Sequence, residues 1–408
     1  MTTVSPFAPA RFPELPEVAG VELAAAAAGI RHADRLDLAL VRLPPETTVA
    51  GVFTTNRVVG HPVVWCRRIL PAGRARALVV NAGNANVFRG EEGDEAVRRT
   101  AAAAAAALGC APEEVFVAST GVIGERLAVE RIEATLPELA GALRPGAWEP
   151  AARAIMTTDT YPKGAARAVE VGGATVRLAG IAKGAGMIAP DLATMLAFLF
   201  TDARIPAPLL QRLLAGVVPA TFGSLTVDGD TSTSDTVLLF ATGRRGPPLG
   251  EADGPLVAAF RQALFEVCRE LAVQIAKDGE GIGRFVEITV EGAVDEASAR
   301  RIGLTVANSP LVKTAIAGGD PNWGRIVAAV GRAGEPIDVD RLAVAFGGYA
   351  AARDGRAVPH LDETPLRRHL EGREVRIEIR VGDGPGRAVV WTCDLTHGYV
   401  EVNASYRS

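Results

Sequence analysis

The stretch Ala168-Val-Glu-Val171-Gly-Gly-Ala-Thr175-Val-Arg-Leu-Ala-Gly-Ile181 decides how the chain is read. Two β-type runs flank adjacent glycines. Glycine takes the positive φ angles of a tight two-residue turn, so the stretch predicts a β-hairpin. Met195–Phe200 follows as an apolar run of strand length and predicts a fully buried strand. Upstream, Ala77–Val80 and Val115–Ala118 predict strands separated by a helix over Asp94–Leu108. Downstream the pattern predicts a helix near Pro206–Val218, a strand at Thr236–Phe240 and a long helix near Leu256–Ala276. Further strands follow at Phe285–Val290, Leu342–Phe346, Val375–Val381 and Ala388–Cys393. These strands often neighbour one another as hairpins instead of alternating with helices. That favours a mixed α+β sandwich over a doubly wound parallel sheet.

Charge and composition narrow the function. With 43 Lys+Arg against 47 Asp+Glu, the 408-residue chain has a formal charge of −4. A nucleic-acid partner would call for a basic excess or stripe. The longest aliphatic runs, Ala101–Leu108 and Ala193–Phe200, fall far short of the roughly 20 residues a membrane span needs. The opening Met1-Thr-Thr-Val-Ser-Pro-Phe lacks the basic and apolar regions of a signal peptide, so a cytoplasmic protein is expected. Cys66, Cys110, Cys268 and Cys393 are scattered, with no histidine at ligand spacing, so no metal is expected. His32, His61, His360, His369 and His397 are equally dispersed, and no histidine base stands beside a nucleophile motif.

That gap gives weight to Lys183-Gly-Ala-Gly-Met-Ile-Ala-Pro-Asp-Leu-Ala-Thr194-Met-Leu. As a plain structural element it is a glycine-rich loop between two core strands. It is not a phosphate loop, because the lysine precedes the glycines instead of following them. As a functional element it offers Thr194 as a nucleophile. A threonine hydroxyl needs an adjacent base, and an N-terminal amine serves as one. An internal threonine gains that amine only when the preceding bond breaks. The Thr194 hydroxyl would attack the Ala193 carbonyl, shift the acyl group from nitrogen to oxygen, and yield to hydrolysis. Small Ala193 leaves that carbonyl accessible, and Gly184, Gly186 and Pro190 suit an exposed turn.

A second segment, Ala118-Ser-Thr120-Gly121-Val-Ile-Gly124-Glu, reads as a strand turning into a helix with its acidic residue in the first turn. Backbone amides at such a junction, with the Thr120 hydroxyl, form an oxyanion hole; a capped turn is the plainer reading. Asn81-Ala-Gly-Asn84-Ala-Asn86 stands at a strand end, where its amides hold either backbone or a polar ligand. Met156–Thr160, Asp228–Thr233, Lys277–Gly281 and Gly319–Arg325 are further polar clusters among apolar strands, and together predict a site built from several loops. Asp228-Gly-Asp230 lacks the remaining ligands of a calcium loop.

In this order the segments resemble the ornithine acetyltransferase family, the bifunctional glutamate N-acetyltransferase and amino-acid acetyltransferase of arginine biosynthesis. The resemblance is carried by Gly51-Val-Phe-Thr-Thr-Asn56-Arg, Asn81–Asn86, Ser119–Gly124, Thr157–Thr160, Lys183–Pro190 and Ala193-Thr-Met-Leu196. Thr226–Thr233, Asp278-Gly-Glu-Gly281, Asp320-Pro-Asn-Trp-Gly-Arg325 and Asn403 extend it nearly end to end. It implies an αββα-type sandwich with two central sheets covered by helices, of the self-cleaving kind with an N-terminal threonine nucleophile. Cleavage between Ala193 and Thr194 would give an α chain of 1–193 and a β chain of 194–408, associated as an α2β2 heterotetramer. Thr194 would accept the acyl group, Thr120 and Gly121 would form the oxyanion hole, and Thr157, Lys183, Thr194, Glu280, Asn403 and Ser408 would contact substrate. The implied reaction is ping-pong: N2-acetylornithine acetylates Thr194, ornithine leaves, and glutamate departs as N-acetylglutamate. No cofactor is implied, and acetyl-CoA is left open as a second acetyl donor. The chain departs from the common pattern at Val87-Phe88, Asp191-Leu192, Ser234 and its Arg407-Ser408 end. Two other readings compete: a self-processing amidase or aminopeptidase using the same threonine, and an uncleaved small-molecule binding protein.

Overall fold

The computed structural model describes residues 3–31, 33–189, 195–250 and 252–404. The hairpin forms as read. Lys163–Val171 pairs antiparallel with Ala174–Lys183, and Gly172 and Gly173 make the turn at φ of 56° and 82°. Both strands belong to a five-stranded sheet in the order Thr48–Phe53, Thr236–Pro248, Leu196–Arg204, Ala174–Lys183, Lys163–Val171. Leu196–Arg204 runs parallel to Thr236–Pro248 and antiparallel to Ala174–Lys183. A four-stranded sheet orders Glu22–Ala26, Leu38–Arg42, Ala77–Asn84 and Val115–Val122. Its last two strands are parallel and are joined through the helix Gly90–Leu108. That helix buries Val97, Ala101, Ala104 and Ala105, a small-residue face at helical spacing, and ends at Gly109 in the left-handed conformation.

The two sheets pack face to face. In Leu196–Arg204, Phe198 and Phe200 turn to the inter-sheet core, while Ala197 and Leu199 turn to a second core. This is the period of two that a strand buried on both faces requires. Phe116 of the first sheet meets Phe240 of the second edge-on at 6.0 Å, and Phe240 stacks on Phe200 at 5.2 Å. Trp148, from the helix Trp148–Ala154, closes the cluster at 5.6 Å from Phe200. The outer core lies under the helices Ala207–Val217 and Gly254–Ala276. The order helix, sheet, sheet, helix is the α+β sandwich the strand pattern predicts. Cys66, Cys268 and Cys393 are buried in it, and burial pushes the Cys66 thiol up to about 12.

The chain departs from two sheets after residue 284. Phe285–Ala293, Ala343–Phe346, Tyr349–Arg353, Arg356–Ala357, Glu374–Arg380 and Gly386–Cys393 form a third, six-stranded sheet. It has its own apolar core with the helices Glu296–Ala307, Pro310–Ala317, Trp323–Gly331 and Thr364–Glu371. Four of these strands were individually visible in the sequence, Tyr349–Arg353 and Arg356–Ala357 were not, and the grouping depends on distant pairs such as Phe285 with Glu374. No helix among the described residues is long and apolar enough to cross a membrane.

One end of the five-stranded sheet gathers the polar segments: Lys183 pairs with Leu196, Leu196 with Thr236, and Thr236 with Phe53. The inter-sheet aromatic cluster supports that end. Phe240→Ala is expected to cost about 3–5 kcal/mol, the range for truncating a buried phenylalanine. The measurement is the urea midpoint; an unchanged midpoint would show that the sheets do not depend on this ring.

Candidate functional site

Lys183 ends its strand fully inside the protein. Its Nζ donates to Thr157 Oγ1 at 2.7 Å and to Thr120 Oγ1 at 3.4 Å. Thr120 belongs to the first sheet and Lys183 to the second, so this lysine spans the seam between them. The Asp159 carboxylate lies 3.9 Å from Nζ. Burial pulls the Lys183 pKa down and Lys163 adds to the pull, while Asp159, Glu280 and Asp235 oppose it; the net shift is downward.

Behind Lys183 is a wholly buried ion cluster. Lys163 Nζ donates to Asp159 Oδ1 at 2.7 Å and to Asp278 Oδ2 at 2.6 Å, with all three side chains shut off from water. Asp159 also accepts N–H groups from Gly184 at 2.6 Å and Thr157 at 3.0 Å. Burial alone would raise Asp159, but the charges of Lys163 and Lys183 and these hydrogen bonds hold it below the carboxylate range. Asp278, for which burial outweighs Lys163 and Asp159 adds repulsion, is raised. Thr160 N–H bonds Asp278 at 2.9 Å, and Ser5 N–H bonds Thr160 Oγ1 at 3.0 Å, tying the N-terminal segment to the cluster.

Glu280 reaches the same region from the loop after the helix Gly254–Ala276. Its N–H donates to the Ala185 carbonyl at 2.9 Å, and Asn403 Nδ2 donates to its Oε2 at 2.7 Å. A Cβ on Gly186 would fall 2.3 Å from the Glu280 carboxyl carbon, so a larger residue there would displace the carboxylate. Burial raises the Glu280 pKa, with hydrogen bonds from Thr158 and Asn403 pulling it back and Asp228 adding to the rise. A cavity of about 500 Å³ opens here, lined by Thr158, Thr160, Glu280 and Val402 among others. A smaller one of about 150 Å³ lies beyond Thr158, lined by Arg31, Arg35, Gly83, Gly121 and Thr157.

The structure therefore brings together Thr120, Gly121, Thr157, Lys183, Glu280 and Asn403. Ala193, Thr194 and Ser408 lie outside the described residues, as do Asp191, Leu192 and Arg407. The expected strand-to-helix junction at Thr120 is corrected. The strand runs on to Val122, and the next helix starts only at Val129, leaving Glu125 in a loop. Gly121 pairs instead with Gly83 on the parallel strand at φ +130°, where a Cβ would sit 2.3 Å from the Gly83 carbonyl carbon. Any oxyanion hole at this point is a strand end, not a helix terminus.

The other polar clusters divide. Asn81, Asn84 and Asn86 are buried and hold backbone: Asn81 Nδ2 bonds the Asn84 carbonyl, Asn84 Nδ2 the carbonyls of Glu125 and Arg126, and Asn86 Nδ2 that of Gly93. Asp228 holds the loop after Lys183, accepting the N–H groups of Met187 at 2.7 Å and Ile188 at 2.8 Å. Asn322 caps the helix Trp323–Gly331 in the third-sheet lobe through the Arg325 N–H, so the Gly319–Arg325 cluster has a structural use. Sequence reasoning assigned no role to Asp159, Lys163, Asp278 or Asp235. Lys163, a charge entering an apolar strand, was the one local signal.

The fold and the buried polar cluster define a two-sheet sandwich enzyme whose site lies where the ends of both sheets meet. Residues 22–408 match the ArgJ family. The arginine biosynthesis bifunctional protein ArgJ of Gluconobacter oxydans strain 621H is 53% identical over 406 residues, 99% of this chain and 96% of that protein. The protein of the same name from Bradyrhizobium diazoefficiens is 52% identical over 411 residues, spanning both chains completely. Among solved structures, the ornithine acetyltransferase of Mycobacterium tuberculosis, in complex with ornithine, is 39% identical with a TM-score of 0.39, covering 43% of this chain and 94% of that one. The chain belongs to the ArgJ family.

The ion cluster yields a direct test. Lys163→Met leaves two buried carboxylates without their cation and is expected to destabilise by about 3–5 kcal/mol. The urea midpoint should fall, and fall less at acid pH, where Asp159 and Asp278 take up protons. An equal loss at every pH would mean that the lysine serves packing rather than charge.

Proposed function

We propose that this chain transfers the acetyl group of N2-acetyl-L-ornithine to L-glutamate, giving L-ornithine and N-acetyl-L-glutamate in arginine biosynthesis. The observation that carries the reading is the pair of buried, opposite charges Lys183 and Glu280, close enough that each shifts the other's pKa, in a chain of the ArgJ family. Acetylornithine carries an α-carboxylate and a side-chain ammonium, and a buried lysine and a buried glutamate suit those two ends.

The steps follow from the residues. The Thr194 hydroxyl first attacks the Ala193 carbonyl, and hydrolysis of the resulting ester leaves chains of 1–193 and 194–408 with a free amine on Thr194. That amine takes the hydroxyl proton as Oγ attacks the acetyl carbonyl and passes it to the departing ornithine nitrogen. Thr120 and Gly121 stabilise the oxyanion, and Thr157 keeps Lys183 aimed. Glutamate then attacks acetyl-Thr194, and the proton returns to Thr194. Asn403 holds Glu280, Ser408 contacts substrate, and the mature enzyme is an α2β2 heterotetramer in the cytoplasm. The chemistry needs no cofactor, and acetyl-CoA stands as a second donor to be tested with labelled acetyl-CoA and glutamate.

Two experiments test this reading. On a denaturing gel, wild-type protein should give two pieces and Thr194→Ala one. Incubated with acetylornithine, the enzyme should release ornithine faster when glutamate is present; release indifferent to glutamate would mark an amidase instead. The raised Glu280 also sets opposite pH trends. As pH rises through its pKa, above the ordinary 4.5, Glu280 ionises. The KM for acetylornithine should then fall, since the anion holds an ammonium. The KM for glutamate should rise, since the anion repels a second carboxylate. Glu280→Gln should flatten both trends in initial-rate measurements.

A further inference from the structure

Asp235 immediately precedes the strand Thr236–Pro248, and its side chain is completely buried. Its Oδ1 accepts the Met195 N–H at 3.1 Å, and the Thr236 N–H bonds the Met195 carbonyl at 3.2 Å. These bonds lock the head of the strand Leu196–Arg204 against its parallel neighbour. Among the described residues the other carboxyl oxygen, Oδ2, has no hydrogen-bond partner. Thr54 lies close by, but its single hydroxyl proton goes to the Ser232 carbonyl at 2.5 Å. An unpaired buried carboxyl oxygen is costly and calls for an explanation. The nitrogen held by Asp235 is the one bonded to the carbonyl carbon of residue 194. Asp235 therefore grips the peptide N–H that directly follows the threonine of the cleavage site in the chain.

We propose that Asp235 is the proton relay of self-cleavage at Ala193–Thr194, an inference that rests on the reading of Thr194 given above. Oδ2 takes the hydroxyl proton as Thr194 Oγ bonds to the Ala193 carbonyl carbon. It returns the same proton to the Thr194 nitrogen as the C–N bond breaks, so the acyl shift is proton-neutral. Water then cleaves the ester, leaving the Ala193 carboxylate and the free Thr194 hydroxyl and amine. The relay fills a gap in the chemistry: before cleavage Thr194 has an amide nitrogen and no amine to act as its own base. A carboxyl is suited to the task when it binds and releases a proton with comparable ease near working pH. Burial pushes Asp235 well above 3.8 in that direction, against the opposing pulls of the Met195 N–H and the Lys183 cation.

The test follows cleavage of the full chain by gel after pulsed cell-free synthesis. Asp235→Asn keeps the size and the acceptor for Met195 but cannot relay a proton; cleavage is expected to slow by roughly 100-fold or more. Its circular dichroism and thermal midpoint should stay near those of the uncleavable Thr194→Ala chain. Asp235→Glu, which restores a carboxyl, should recover part of the rate. Wild-type cleavage in Asp235→Asn, or Asp235→Glu no faster than Asp235→Asn, overturns the relay; the second comparison holds even if the asparagine variant folds poorly. Failure of the parent reading looks different, because wild-type chain would then stay whole or Thr194→Ala would be cut.

Discussion

A single carboxylate that no water reaches, Asp159, organises the rest of the site. Its Oδ1 receives Lys163 and the Gly184 N–H, and its Oδ2 the Thr157 N–H. It therefore fixes the entry to one hairpin strand, the exit from the other and the loop that carries Thr157. The hairpin is closed at one end by Gly172-Gly173 and at the other by this carboxylate, beside the pair Lys163 and Ala182. Burying the charge would cost several kcal/mol if it stood alone. Lys163 offsets that cost, and the second carboxylate of Asp278 carries the same lysine's bond into the loop that presents Glu280. The position of Lys183 is a consequence, since it is the residue just before the amide that Asp159 grips.

The first sheet meets this cluster through backbone that only glycine allows. Gly83 and Gly121 face each other on the parallel strands, and a side chain on Gly121 would run into the neighbouring strand. The parallel pairing itself needs a crossover helix, and the alanine-rich face of Gly90–Leu108 lets that helix lie close to the sheet. Thr120 then arrives within 3.4 Å of Lys183. Packing between the sheets, anchored by Phe116, Phe200 and Phe240, sets the depth at which the two ends come into register.

What the sequence made legible was local. The diglycine hairpin, the long helices and the doubly buried strand follow from glycine placement and apolar spacing, and each formed within a few residues of its expected bounds. Sheet membership was not legible, because a strand's partners lie far away: Thr236–Pro248 runs parallel to one neighbour and antiparallel to the other. The third sheet was hidden for the same reason. At Thr120 the acidic Glu125 suggested a helix start, whereas Gly124 sits at φ 84° and the chain stays in a loop until Val129. Polar clusters were visible but their uses were not: the asparagines of 81–86 hold backbone, and Asp159 in a similar run anchors the ion cluster. The difference lies in Lys163 and Asp278, which no local pattern joins to it.

The same electrostatics explain why this end of the sandwich suits a charged ligand. Among the described residues, Lys163 answers two carboxylates at hydrogen-bond distance, while Lys183 has only hydroxyls at that range and Asp159 at 3.9 Å. Lys183 has three N–H donors, and Thr157 and Thr120 account for two. Burial outweighs the charges of Asp159, Glu280 and Asp235 and draws its pKa down. Under the proposed function an arriving carboxylate would supply a close anion and a third acceptor together, so binding and protonation of Lys183 would be linked, each favouring the other by the same factor. A neutral isostere would gain neither contribution, so under the proposed function the site would discriminate by charge before any contact with the rest of the molecule is made.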